Sequence, residues 1–207
     1  MRIEELAKQI HSNAVDHGWW DDKRETPEII ALIHSEWSEA LEEARAGRPM
    51  KWYACLEGDE HFPCAPADET ECMNFKDRFT CMYRGKKPEG IAVELIDGCI
   101  RIFDWLGERN VKCEEKDGSP STVESLYTES NAWKVPDKVP ELIAWLHLYT
   151  AKAMTAHPIV GIDAMSLLEA AAVAMSWVKK QGLDPLALLL EKHEYNKTRP
   201  YKHGKKF

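Results

Sequence analysis

The chain has 207 residues, of which 44% are hydrophobic and 30% are charged, and its formal net charge is −8. This composition is typical of a globular protein with a substantial core, and the acidic balance argues against binding to a nucleic-acid backbone. No apolar run approaches the roughly 18 residues of a membrane span, and the N-terminus lacks the features of a signal peptide. We therefore expect a cytoplasmic protein that binds neither nucleic acid nor membranes.

Apolar residues recur with a helical period over most of the chain, and the alternation typical of strands is almost absent. The sequence accordingly predicts one all-α domain, a helical bundle over residues 1–207. A first helix is predicted over residues 2–17, and Trp19 and Trp20 follow it between acidic residues. These tryptophans either anchor the core or form a stacking surface for a planar ligand.

A second helix is predicted to begin with Thr26 as its N-cap and Pro27 in its first turn, and to end at Arg45. Its apolar residues form one broad arc, and Glu36 points into this arc. Glu39 lies at the edge of the arc, one turn further along. Burying a carboxylate is costly unless it is compensated. Glu36 is therefore expected to bend out to water, to be protonated, to pair with a base or to bind a cation.

Residues from about 50 to 90 are predicted to be an irregular insert that lacks a helical period. The insert contains four cysteines spaced 8 or 9 residues apart, namely Cys55, Cys64, Cys72 and Cys81. Four thiolates are a suitable ligand set for structural Zn²⁺, but the paired C-x₂-C spacing typical of zinc sites is missing. Free thiols packed within the insert are the alternative that we favour.

A second acidic helix is predicted from residue 89 to residue 108 and is apolar over most of its circumference. Its one polar stripe consists of Glu94, Asp97, Arg101, Asp104 and Glu108. A helix this apolar belongs at the centre of a bundle, where its stripe lines a cleft unless it is a solvated face with an Asp97–Arg101 pair. Glu94 and Asp97 are one turn apart, as are Glu36 and Glu39. Facing each other, the two helices would form a four-carboxylate site for Mg²⁺ or Mn²⁺.

The second half of the chain, over about residues 138–182, is a degenerate repeat of the two acidic helices. An offset of 113 residues aligns PEIIALIHSEWSEAL with PELIAWLHLYTAKAM, and an offset of 72 aligns the later helices. The difference of 41 residues matches the length of the insert. In the copy, Tyr149 and Lys152 replace Glu36 and Glu39, so we expect only one carboxylate site.

An Asp-Pro pair at residues 184–185 predicts the start of a last helix, which leads into a basic C-terminal end. Lys192, Asn196 and Arg199 share one face if the helix continues, and Lys205 follows them. This end of the chain is either a solubilising tail or an anion site. The phosphates of a nucleotide would bridge the acidic site and such a basic end.

Three motifs together resemble the all-α NTP pyrophosphohydrolases, the MazG-like and dimeric-dUTPase-like superfamily. They are E-x-x-E at Glu36 and Glu39, E-x-x-D at Glu94 and Asp97, and K-x-x-x-N-x-x-R from Lys192 through Asn196 to Arg199. The surrounding segments ALIHSEWSEALEEARAGRP, KPEGIAVELIDGCIRIFD and KHEYNKTRPYKHGKKF are also similar to that family. The 54 residues between Glu39 and Glu94 depart from the usually short gap of the family.

The resemblance implies Mg²⁺-dependent hydrolysis of a (d)NTP to the (d)NMP and diphosphate, with a role in nucleotide-pool house-cleaning. It also implies a homodimer, and Mn²⁺ as a substitute for Mg²⁺. The implied metal ligands and catalytic residues are Glu36, Glu39, Glu94 and Asp97. The implied phosphate contacts are Lys192, Asn196, Arg199 and Lys205, while Trp19 or Trp20 would stack on the base.

Two other classes of protein were weighed against this enzyme. A di-iron carboxylate bundle requires Glu-x-x-His twice, and neither acidic helix contains that motif. A non-enzymatic helical interaction module, which would use the Cys-rich insert, is the second alternative. Such a module would retain its function without Glu36, whereas the enzyme would not.

Overall fold

The computed structural model of the protein describes residues 1–57, 60–64, 87–115, 117–128, 135–155 and 162–204. Seven α-helices lie in these segments, and the predicted predominance of helix is confirmed. They are α1 (Ile3–Asp16), α2 (Thr26–Arg45), α3 (Ile91–Glu108), α4 (Ser125–Thr128), α5 (Val139–Thr155), α6 (Ile162–Lys180) and α7 (Pro185–Lys197), and a 3₁₀ turn spans Tyr201–Gly204. Within the described segments, no helix is both long enough and apolar enough to cross a membrane.

Helix α3 lies at the centre of the bundle, as its apolar circumference predicts, and packs against α1, α2, α6 and α7. Its apolar residues, such as Ile96, Ile102 and Phe103, are fully buried. Close approach of α2 depends on Gly98, because a Cβ atom there would lie 2.2 Å from the ring of Trp37. This approach places the acidic residues of α2 beside those of α3.

Helices of the first half of the chain contact their repeat counterparts in the second half. The Nδ1 atoms of His34 and His147 are 2.6 Å apart, and their rings are stacked. One turn along, the indole N–H of Trp37 donates to Thr150 Oγ1 at 2.9 Å. Both pairs are separated by 113 residues. The thiol of Cys99 donates to the carbonyl oxygen of Ala171, 72 residues further on. These separations equal the two offsets of the sequence alignment.

The prediction that the insert lacks regular structure is wrong for its two ends, which form a three-stranded antiparallel sheet. Its strands are β1 (Trp52–Glu57), β2 (Glu60–Cys64) and β3 (Lys87–Glu89), in the order β2-β1-β3. Pairing of β1 with β3 brings the two ends of the insert together, so α2 and α3 remain neighbours. Of the proposed zinc ligands, Cys55 and Cys64 lie in β1 and β2, while Cys72 and Cys81 lie outside the described residues.

The helix ends show which local signals are reliable. As predicted, Asp184 caps α7, since its Oδ1 accepts hydrogen bonds from two backbone N–H groups at 3.0 and 3.2 Å. Thr26 is the first residue of α2 rather than its N-cap, which is Glu25. Helix α7 ends at Lys197, because Pro200 disfavours helical geometry at the residue before it. Arg199 therefore does not continue the helical face of Lys192.

Candidate active site

Most of the predicted functional residues line one cleft with a volume of about 620 Å³. The cleft includes the four predicted metal ligands and four residues predicted to contact a nucleotide. These residues are Glu36, Glu39, Glu94, Asp97, Trp19, Lys192, Asn196 and Arg199. Lys205 lies outside the described residues. The volume is within the range of small-molecule sites, which is about 300–1,000 Å³.

Three of the acids form a compact group, which we call the carboxylate cluster: Glu36, Glu39 and Glu94. One carboxylate oxygen from each lies within 4.8 Å of the others. Glu36 and Glu94 are only 6% and 5% exposed, whereas Glu39 is exposed and accepts a hydrogen bond from Ser35 at 3.1 Å. Oxygen donors at this spacing suit a hard divalent cation.

Glu94 is held in its protonated form by its surroundings. Burial, the neighbouring charge of Asp97 and a hydrogen bond with Glu89 raise the pKa of Glu94 to about 10. Although burial opposes it, the hydrogen bond from Glu94 and the cation of Lys87 lower the pKa of Glu89. A carboxyl group and a carboxylate therefore share a proton beside the cluster. Sequence analysis missed Glu89 because it lies in the short strand β3, outside both acidic helices.

Glu36 pairs with a base, one of the alternatives that its burial predicted. The Nε of Arg101 donates to Glu36 Oε1 at 2.5 Å. Burial raises the pKa of Glu36, and the attraction of Arg101 opposes this rise. The polar stripe of α3 thus lines a cleft, and the strongest contact of Arg101 reaches across to α2 rather than along α3 to Asp97.

Asp97 forms an ion pair with Lys192 of α7, whose Nζ is 2.8 Å from Asp97 Oδ2. The same ammonium donates to the carbonyl oxygen of Pro88 at 3.0 Å, and Lys192 is only 1% exposed. Burial lowers the pKa of Lys192, but Asp97 and Glu94 outweigh it and the pKa is raised. Lys192, predicted to contact phosphate, thus lies deep in the cleft and holds the fourth acid.

The two adjacent tryptophans have different surroundings. Trp19 lines the cleft, and the guanidinium of Arg24 lies 5.1 Å from the centroid of its ring. Trp20 donates its indole N–H to Asp104 at 2.9 Å, and its ring meets that of His11 edge-on. Trp20 therefore anchors Asp104, while Trp19 is the tryptophan placed to contact a ligand.

Two further cleft residues were not predicted as site residues. Arg24 lies before α2, has a side chain that is 7% exposed and pairs with Glu28 at 3.1 Å. Asp104 accepts hydrogen bonds from Trp20 and from His11, whose Nδ1 is 2.8 Å away. Burial raises the pKa of Asp104, and these hydrogen bonds oppose the rise. Neither residue belongs to a spaced motif, so the sequence carries no signal of its place.

Comparisons of the chain with protein-family models, with curated proteins and with solved structures find no match. The resemblance to the all-α NTP pyrophosphohydrolases therefore stays a prediction. Any assignment of function depends on the chemistry of the cleft.

Proposed function

We propose that this chain is a Mg²⁺-dependent nucleoside triphosphate pyrophosphohydrolase of the MazG-like and dimeric-dUTPase-like superfamily. It would convert a (d)NTP and water to the (d)NMP and diphosphate, and would act as a homodimer. The observation that carries the proposal is the coexistence, in one cleft, of the carboxylate cluster with basic residues such as Arg101 and Arg199. A magnesium nucleotide presents the complementary pair of charges, a cation and several phosphate oxygens.

The residues of the cluster differ in what they can contribute. A divalent cation bound there would neutralise phosphate charge and activate water. Glu36 and Glu94 are the buried ligands, and Glu94 must release its proton before it can bind a cation. Glu39 is the exposed member of the cluster, so it is the carboxylate best placed to orient the attacking water. Trp19 would stack on the base.

The second half of the chain would be a duplicated helix pair that retained its packing and lost its acids. Contacts between counterparts at offsets of 113 and 72 residues support this duplication, because residues near an approximate two-fold axis meet their own copies. Where α2 has Glu36 and Glu39, α5 has Tyr149 and Lys152, and the Lys152 ammonium lies 4.5 Å from the centroid of the Tyr149 ring. One chain would therefore have one active site.

A screen for diphosphate release from the eight common NTPs and dNTPs with Mg²⁺ tests the proposal. We expect at least one substrate, and we expect Glu36→Gln to lower its turnover by roughly two orders of magnitude or more. Glu169→Gln is the matched control, because Glu169 is the repeat counterpart of Asp97 and should be dispensable. Full activity of the Glu36→Gln variant, or no diphosphate from any substrate, would contradict the proposal.

A further inference from the structure

Arg101 is the cation that contacts the carboxylate cluster directly. Its Nε is 2.5 Å from Glu36 Oε1, while Lys192 is committed to Asp97 and to the carbonyl of Pro88. The side chain of Arg101 is 28% exposed and lines the cleft, compared with 2% for that of Lys192. Arg101 is therefore the less enclosed of the two cations and the one with access to a ligand.

The remaining donors of Arg101 are not used by the protein. A guanidinium has five N–H donors in a rigid fork, and the two terminal nitrogens of Arg101 have no hydrogen-bond partner among the described residues. The charges that face Arg101 are Asp97 and Asp104 on its own helix, Glu36 on α2 and Arg24 before α2. Such an arrangement leaves a cationic fork directed at solvent beside the carboxylates.

We propose that Arg101 is a substrate-binding residue that holds Glu36 until a divalent cation takes this carboxylate, and that it then binds the triphosphate. The inference rests on the proposed function. A cation and a guanidinium compete for the same carboxylate, so the first can bind fully only if the second finds another anion. A phosphate group is the partner that a guanidinium binds with two parallel hydrogen bonds. Cation and triphosphate would consequently bind cooperatively.

The test compares Arg101→Gln with the matched variant Arg109→Gln, which removes the same charge from an exposed position just beyond α3. Titration with Mn²⁺ in the absence of nucleotide, followed by electron paramagnetic resonance, measures the affinity of the cluster. We expect Arg101→Gln to bind Mn²⁺ roughly 10-fold more tightly than wild type, because an internal competitor is gone. Arg109→Gln should stay within about twofold of wild type.

Inorganic tripolyphosphate in excess Mg²⁺ is the probe for the phosphate contact and is independent of the base. Calorimetry should show binding roughly 10-fold weaker for Arg101→Gln. Arg101→Lys retains the charge and thus the pair with Glu36, but it lacks the fork. This variant should bind Mn²⁺ like wild type and tripolyphosphate more weakly, which provides a second test if Arg101→Gln does not fold.

Opposite changes in the two affinities are the specific expectation. If Arg101→Gln binds Mn²⁺ no more tightly than wild type, the exchange at Glu36 is overturned. If its affinity for tripolyphosphate is unchanged, the phosphate contact is overturned. Failure of the proposed function is a separate result, because it is seen as absence of diphosphate release by the wild type, and the Mn²⁺ titration does not depend on turnover.

Discussion

Lys192 in α7 and Asp97 in α3 form an ion pair of 2.8 Å in the interior of the protein. Because the ammonium also binds the carbonyl of Pro88 in β3 at 3.0 Å, three elements converge on one charge. The pair fastens the C-terminal helix to the acidic helix at the point where the cleft is deepest. Lys192 therefore links the position of Asp97 to the presence of α7.

Replacing Lys192 with Met should destabilise the protein strongly. Removal of one partner from a buried ion pair leaves the other charge uncompensated, and the expected cost is about 3–5 kcal/mol in the free energy of unfolding. Urea denaturation in EDTA measures this cost. Lys197→Met is the control, since Lys197 lies in the same helix but is exposed, and should change stability by about 0.5 kcal/mol or less. Equal losses would show that the Lys192–Asp97 pair is not a stabilising contact.

Gly98→Ala should also destabilise the protein, although alanine is the better helix former by about 1 kcal/mol. A Cβ at this position would meet the ring of Trp37 at 2.2 Å, and Trp37 is fully buried. We expect a loss of about 1–3 kcal/mol in the free energy of unfolding, measured by urea denaturation.

A double-mutant cycle with Trp37→Leu identifies the cause of this loss. The smaller side chain leaves room for the new methyl group, so Gly98→Ala should cost little in the Trp37→Leu background. The same cost in both backgrounds would mean that the α2–α3 approach does not depend on this contact.

Periodicity predicted the two acidic helices well, because the burial of a helix face is a local property of the sequence. Glu36 stands out in the apolar arc of α2, and it is indeed buried. The spacing of Glu94 and Asp97 likewise placed both residues on the cleft side of α3. Asp184 was predicted as a cap because its side chain needs only the next turn of its own chain.

The partners of these residues could not be predicted, since each partner comes from a distant part of the chain. Arg101 binds Glu36 across 65 residues, and Lys192 reaches Pro88 across 104 residues. Glu89 lies in a strand that exists only because β1 pairs with β3. Helical spacing describes one element at a time and carries no information on such tertiary pairs.

The raised pKa of Glu94 predicts a stability that depends on pH. Burial, Asp97 and Glu89 raise the pKa of this carboxyl to about 10 from the 4.5 of a free glutamate. Between these values the folded protein retains a proton that the unfolded chain has released. The free energy of unfolding should therefore fall as pH rises from about 4.5 towards 10.

Glu94→Gln should remove this contribution, because an amide does not titrate. Urea denaturation in EDTA at about pH 5.5 and about pH 8.5 measures the slope, which should be flatter in the variant than in wild type. Glu114→Gln replaces an exposed glutamate and should leave the slope as it is in wild type. A wild-type slope in the Glu94→Gln variant would mean that Glu94 is ionised in the folded protein.

Arg199 tests whether the basic C-terminal end binds phosphate or merely adds charge. It lies beyond the end of α7 and lines the cleft with Asn196. Loss of a charge-assisted hydrogen bond of about 1.5–3 kcal/mol corresponds to about a 10- to 150-fold fall in kcat/KM. We expect Arg199→Ala to show this fall with whichever nucleotide is the substrate. Its affinity for Mn²⁺ without nucleotide should be unchanged, because Arg199 is not a proposed ligand.

The control for this prediction is Lys197→Ala, which removes the same charge two residues earlier in the chain. Lys197 is exposed and pairs with Glu194 at 2.5 Å, so its loss should change kcat/KM by about twofold or less. If Arg199 acts through a specific contact, the two variants differ by an order of magnitude at low and at moderate salt. If the end of the chain attracts the substrate only as diffuse charge, both variants lose activity equally, and added salt removes the loss. We expect the unequal result, because Arg199 lines the cleft of the carboxylate cluster while Lys197 faces solvent.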